Sequence, residues 1–312
     1  MRRLGRGIAG LLLAGLSLVS LASTLPALAA ERDDAYAAYQ TGHYRRALDE
    51  ALKRIEADTK DAAAMTLVGE LYRQGLGVPP DQKVATEWYE RASERGDINA
   101  TYALAMALLD DASGRRDPDR AGTLLRRAAE AGHPAANYNL ALALLATGQP
   151  ADDALATKSL ERAAEYGIGD AMYALGTLAK QGRGMPKSDE KAAEWMAKAV
   201  VTGNIAAEIE YAIMLFNGTG VAADERAAAT LFLRAAHKGN PIAQNRIARL
   251  YQIGRGIAPD SIEAAAWHLV ARTRGLDDPA LDQLFDRLNP EQQGRAARLA
   301  ASRIEGAALT AP

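Results

Sequence analysis

One spacing constrains this chain more than any other feature. Glycines recur at Gly96, Gly132, Gly167, Gly203, Gly239 and Gly275, separated by 36, 35, 36, 36 and 36 residues, with Lys60 in the equivalent place before the first unit. Counted from each anchor, the fourth residue is always alanine: Ala64, Ala100, Ala136, Ala171, Ala207 and Ala243. The ninth is Gly69, Ala105, Ala141, Gly176, Ala212 and Ala248, and the thirty-second is Ala92, Ala128, Ala164, Ala199, Ala235 and Ala271. Side chains this small at fixed intervals let helices approach closely. Units of roughly 20–50 residues stack because none buries its apolar face alone. The expected fold is all-α, one elongated α-solenoid of tandem helix-turn-helix units.

Each unit reads as a hairpin. Residues four to fourteen form a first helix. In four units a double-glycine turn follows: Gly75-Leu76-Gly77, Gly182-Arg183-Gly184, Gly218-Thr219-Gly220 and Gly254-Arg255-Gly256. Paired glycines permit positive φ on both sides of a tight reversal. An apolar residue (Val78, Met185, Val221, Ile257) leads to an acid suited to cap the second helix: Asp81, Asp189, Asp224 or Asp260. That helix carries a bulky residue at its centre, namely Trp88, Leu124, Leu160, Trp195, Leu231 or Trp267, so all three tryptophans share one register and are expected in the core. Two units depart, with Asp110-Asp111-Ala112-Ser113-Gly114 and Ala146-Thr147-Gly148 replacing the double-glycine turn.

The division that follows is six repeats at 61–96, 97–132, 133–167, 168–203, 204–239 and 240–276. A shorter helix pair within 31–60 covers the first unit, with Tyr36, Tyr39 and Tyr44 leading into Ala47, Leu48, Leu52 and Ile55. Within 277–305, two helices at 279–288 and 290–304 cover the last unit, Asn289 and Pro290 suiting an N-cap and a first helical position. Residues 306–312 are expected to be a loose tail. Ahead of all this, Arg2, Arg3 and Arg6 precede an apolar run from Ile8 to Leu28 that ends Ala27-Leu28-Ala29-Ala30. A basic start, an apolar middle and a small-x-small exit read as a signal peptide over 1–29, cleaved after Ala29, and so imply a periplasmic or secreted protein. The rival reading is an uncleaved membrane anchor.

The unit pattern, best seen from Ala64 to Gly96 with Gly69, Tyr72, Gly75, Gly77, Val78, Asp81, Trp88 and Tyr89, resembles the Sel1-like repeat, a relative of the tetratricopeptide repeat. The resemblance covers about 61–276 and implies a right-handed superhelix. It also implies a non-enzymatic scaffold or adaptor that holds a protein or peptide. Exported bacterial members regulate envelope signalling, exopolysaccharide production or cell-surface assembly, and one group binds the periplasmic sensor region of a histidine kinase. In stacks of this kind the first helices line the concave face, which places the sixth, tenth and thirteenth residues in a groove. Those are Tyr102, Met106 and Leu109, then Tyr138, Leu142 and Leu145, then Tyr173, Thr177 and Lys180, with Asn99 and Asp170 nearby. The next units offer Ile209, Ile213 and Phe216, then Asn245, Arg249 and Gln252. An aromatic ladder flanked by aliphatics suits a peptide; the same tyrosines also suit packing between units, or stacking on sugar rings.

Other chemistries find little support. With no cysteine there is no disulfide, thiol nucleophile or thiolate metal site. The balance of 37 Lys+Arg against 39 Asp+Glu gives no electrostatic footprint for nucleic acid, and a membrane is expected to be reached only through a partner. Ser188-Asp189-Glu190-Lys191 matches the Ser-x-x-Lys of penicillin-recognising enzymes, without their accompanying Ser-Asp-Asn or Lys-Thr-Gly elements. A penicillin-binding enzyme or cell-wall hydrolase is therefore the enzymatic alternative. No two of His43, His133, His237 and His268 have zinc-pair spacing on one helix. No cofactor is expected.

Overall fold

The computed structural model describes residues 33–110 and 114–309, with side chains to 306. The segment read as a signal peptide lies outside the described residues. A capping pair comes first, α1 (Asp34–Gln40) and α2 (Tyr44–Ala57). Six hairpins follow: α3 (Ala62–Gln74) with α4 (Gln82–Glu94), α5 (Ile98–Leu109) with α6 (Pro118–Glu130), α7 (Pro134–Ala146) with α8 (Pro150–Glu165), α9 (Gly169–Gln181) with α10 (Asp189–Val201), α11 (Ile205–Asn217) with α12 (Glu225–His237), and α13 (Pro241–Ile253) with α14 (Ser261–Arg272). The chain closes with α15 (Pro279–Arg287) and α16 (Pro290–Leu309), and α16 packs along α14. The described residues contain no strand and no helix long and apolar enough to cross a membrane. This is the expected α-solenoid.

The anchor glycines form one joint, used six times. Each ends a second helix with positive φ, between +77° and +88°. The residue after each glycine sends its N–H back to a carbonyl in the last helical turn, as from Asp97 to Ala92 at 3.1 Å and from His133 to Ala128 at 2.9 Å. In four of the six joints that same residue also caps the next helix, its side chain accepting the N–H of the fourth residue, as from Ala100 to Asp97 at 2.6 Å or from Ala243 to Asn240 at 3.1 Å; after Gly275 the cap of α15 is instead Asp278. Before α3 the same cap is made by Asp61, which accepts from Ala64 at 2.9 Å. Ile168 lacks a side-chain acceptor and makes no such cap.

The joint also corrects the register of the short third unit. Ile168 bonds the carbonyl of Ala163, so Ala163 and not Ala164 matches Ala92 and its equivalents. The missing residue therefore lies before the C-terminal half of α8. With that shift, the fully packed row of the second helices is Tyr89, Leu125, Leu160, Met196, Phe232 and His268, all buried. The tryptophan register lies one residue earlier, beside this row. Trp267 is buried, but Trp88 and Trp195 are only half-buried, with Arg91 and Lys198 lying over their rings at 4.8 and 4.2 Å.

Two further boundaries differ from expectation. Asp81, Asp224 and Asp260 cap their helices as expected, whereas in the fourth unit the cap is Ser188, whose hydroxyl accepts from the Lys191 N–H at 3.1 Å. Asp189 becomes the first helical residue, where its charge favours the helix dipole. At the C-terminus Asn289 and Gln292 cap each other reciprocally at 3.0 and 2.9 Å, and α16 continues past Ile304 into the segment read as a loose tail.

The double-glycine turns dock each unit on the one before it. A Cβ on Gly77 would stand 2.7 Å from the Arg45 backbone nitrogen at the start of α2. At Gly184, Gly220 and Gly256 it would overlap the carbonyls of Asp153, Asp189 and Glu225, at the starts of α8, α10 and α12. The arginine between the glycines reinforces this contact, Arg183 pairing with Asp153 at 2.6 Å and Arg255 pairing with Glu225.

Candidate functional site

A groove of about 980 Å³ lies at the N-terminal end, walled by α1, α3 and α5. First helices thus line it. From α5 come Tyr102, Met106 and Leu109, the sixth, tenth and thirteenth residues of their unit, with Asn99 and Asp97 at the helix start. The same three places in the preceding unit bring Thr66, Glu70 and Arg73 from α3. The cap contributes Tyr36 and Tyr39, whose rings stack at 6.2 Å, and Tyr44 holds Tyr39 edge-on at 5.8 Å.

The groove has a wet apolar rim and a fixed polar wall. Tyr36 is 51% exposed and Leu109 41% exposed. Glu70 is the polar hub: it accepts from Tyr89 at 2.7 Å and from Arg73 at 3.0 Å, and Gln74 donates to its other oxygen. Burial pulls the Glu70 carboxyl upward, but these donors outweigh it and hold it below its ordinary value. Burial and the Glu70 charge together push the Tyr89 hydroxyl well up, so it remains a donor. Next to this hub, Arg54 ties Asp33 to Asp61 at 2.6 and 2.8 Å. A wall built of such ion pairs is fixed in place and can position a ligand.

Only part of the expected ladder meets in this groove. Asn99, Tyr102, Met106 and Leu109 line it, whereas Tyr138, Leu142, Leu145, Tyr173, Thr177 and Asp170 lie farther along the stack, outside it. Tyr102 is half-buried against its neighbour unit: its ring stacks on His133 at 4.4 Å and its hydroxyl accepts from Asn139 at 3.0 Å. Tyr138 and Tyr173 are half-buried in the packing between units. Leu142 is exposed, and Leu145 is half-buried with its carbonyl bonded by Arg183. Thr177 bonds its own helix at the Tyr173 carbonyl, and Asp170 accepts from Asn204 at 2.7 Å. Toward the C-terminus, Ile209 is buried, while Ile213 and Phe216 line a smaller cavity with Arg249. The α3 residues Glu70 and Arg73 were missed by the sequence reading, although the same register rule reaches them. Tyr36 and Tyr39 had no such rule, because α1 is shorter than a repeat helix.

The remaining candidates have roles in the fold. The Ser188 hydroxyl caps α10 and lies 2.9 Å from Glu190, so it meets the backbone of Lys191 and not its ammonium. His133 caps α7, His268 is buried against Asp282 at 2.8 Å, and His237 lies edge-on to Trp267 at 5.0 Å.

The Sel1 repeat pattern matches residues 62–97, 98–133, 134–167, 169–200, 205–240 and 241–276. No curated protein matches the chain. Among solved structures, a protective antigen of uropathogenic Escherichia coli with an SLR fold is 24% identical, with a TM-score of 0.54 over 85% of this chain. The chain spans 65% of that antigen's length. A Sel1 repeat protein from Oxalobacter formigenes, also 24% identical, has a TM-score of 0.50 over 82% of this chain and 88% of its own. Proteins built of these repeats generally mediate protein–protein interaction. Six matched hairpins, joined throughout by the same positive-φ glycine, place this chain in the Sel1 repeat family.

Proposed function

We propose that the protein is an exported, non-enzymatic adaptor that holds a segment of another protein in its N-terminal groove. The observation that carries this reading is the pairing of exposed Tyr36 and Leu109 with the saturated Glu70 hub. Exposed apolar side chains rimming a concave surface mark a recognition face, and a central carboxylate already held by Tyr89, Arg73 and Gln74 favours holding over chemistry. Export is supported by the basic start and apolar run of the first thirty residues. In the envelope such a groove would position or sequester a sensor or an assembly factor.

The test is a photo-crosslinking residue in place of Leu109 in living cells, with mass spectrometry of what it captures. A protein partner is expected, and Tyr36→Ser with Leu109→Ser should weaken its binding by about ten-fold or more. Both positions are exposed, so the variant should fold normally. Undiminished capture by that variant, or capture of glycan alone, overturns the reading. Acylation of Ser188 by a labelled β-lactam would overturn its non-enzymatic part.

A further inference from the structure

The charges in the wall of the N-terminal groove narrow what it can hold. Four carboxylates line it, Asp33, Glu70, Asp97 and Asp110, against two guanidiniums, Arg54 and Arg73. Both guanidiniums are already committed: Arg54 is shared between Asp33 and Asp61, and Arg73 meets Glu70 through two nitrogens. Asp97 enters no ion pair with lysine or arginine among the described residues, and its cap of α5 uses one oxygen. Its full charge outweighs the half charge of the helix start that it caps. His133 nearby does not offset it, because burial holds that ring below its ordinary value and leaves it uncharged at neutral pH. The groove is net negative.

Its tyrosine faces are also left unclaimed by the chain's own cations. Arginine or lysine lies over the rings of Trp88, Trp195, Phe216 and Trp267, at 4.1 to 4.8 Å. Among the described residues none lies over Tyr36 or Tyr39, although two arginines share their groove. A cation brought by a ligand would find carboxylate and ring face together there. The groove follows α5 from its N-cap, Asp97, to its C-cap, Asp110, with Tyr102, Met106 and Leu109 between them. The 12 residues of α5 span about 18 Å, the reach of about five or six extended residues.

We propose, on the reading of this groove as the holder of a protein segment, that it selects a short segment both basic and apolar. An arginine or lysine of that segment meets the excess carboxylate and the tyrosine faces, and its apolar side chains lie along α5. An acidic segment is repelled.

The test is selection of random displayed peptides on the full-length protein, with the Tyr36→Ser plus Leu109→Ser variant as counter-selection. Peptides that need the groove should be several-fold enriched in arginine and lysine and depleted of aspartate and glutamate. The tightest of them should weaken as salt is raised. It should bind Asp97→Asn about three-fold more weakly. Asparagine makes the same cap at Asn204 and Asn240, so that variant should keep its melting temperature. Groove-dependent peptides without basic enrichment, or a tightest binder indifferent to Asp97→Asn, would overturn the inference and leave the adaptor reading standing. No groove-dependent peptide at all would overturn both. A dimer split by the Tyr36 and Leu109 changes would give the groove to a second copy, and so overturn the basic segment.

Discussion

His133 makes two contacts, the first of which depends on an uncharged ring. Its Nδ1 accepts the Ala136 N–H at 3.1 Å, capping α7, and its face lies 4.4 Å from Tyr102 in the wall of the groove. Burial lowers its pKa below the ordinary 6.5, against the pull of Asp97. The unfolded chain therefore takes up the proton first. The resulting stability is complete above pH 6.5 and declines as pH falls from there toward the depressed native value. His133→Asn keeps a good cap and removes the titration, so the slope of stability against pH below 6.5 should flatten in urea unfolding. The ninth-residue glycines give a second test. A Cβ on Gly69 meets the Tyr89 ring at 2.7 Å, and that ring is anchored through its hydroxyl to Glu70. Gly69→Ala should lower stability by about 1–3 kcal/mol. Gly176→Ala meets the Met196 side chain, its terminal methyl at 2.9 Å, a more flexible neighbour than the anchored Tyr89 ring, so its urea midpoint should fall less than that of Gly69→Ala. At this scale the small residues were legible in the sequence, because close approach leaves glycine and alanine as the only choices. The Glu70 hub was not, because a carboxylate in a sequence does not show which donors will surround it.

At the scale of the helix and its turns, two kinds of glycine carry different constraints. Gly132 has φ +88° and open space around it, so Gly132→Ala should cost only the backbone strain, about 1–2 kcal/mol. Gly220 combines φ +68° with a seat against the Asp189 carbonyl of the preceding unit. Gly220→Ala should cost about 3 kcal/mol or more and loosen α10 from the next hairpin, as guanidinium unfolding of the pair of variants would show. A similar cost for both would mean that the turn does not bear on its neighbour. The double-glycine turns were visible in the sequence as turns, but their docking partner thirty residues upstream was not. Nor was the position of the gap in the third unit: Ala163 and Ala164 are both alanine, and only the hydrogen bond from Ile168 distinguishes them. The choice of unit for the groove was equally hidden. It depends on where α1, α3 and α5 leave space between them, which residue identity at one register does not record.

Across the whole molecule the backward-reaching turns are unevenly distributed. They join the first unit to the cap, and the fourth, fifth and sixth units each to its predecessor. The second unit substitutes ion pairs, with Arg115 and Arg120 meeting Glu90 at 3.0 and 2.5 Å. The third unit has neither device, since Gly148 in its turn touches nothing. The boundary between α6 and α7 therefore relies on Tyr102, which stacks on His133 and bonds Asn139, in place of a docked turn or ion pair. Native-state hydrogen exchange should find α1–α6 and α7–α16 opening as two blocks at different denaturant concentrations, and exchange of all helices together would contradict it. The direction of these turns has its own consequence. Because each one bears on a helix that precedes it in the chain, the cap and the third, fourth and fifth hairpins are each secured by the unit synthesised after them. Assembly of these parts can then keep pace with translation, while the last hairpin waits for α16 to fold back along α14.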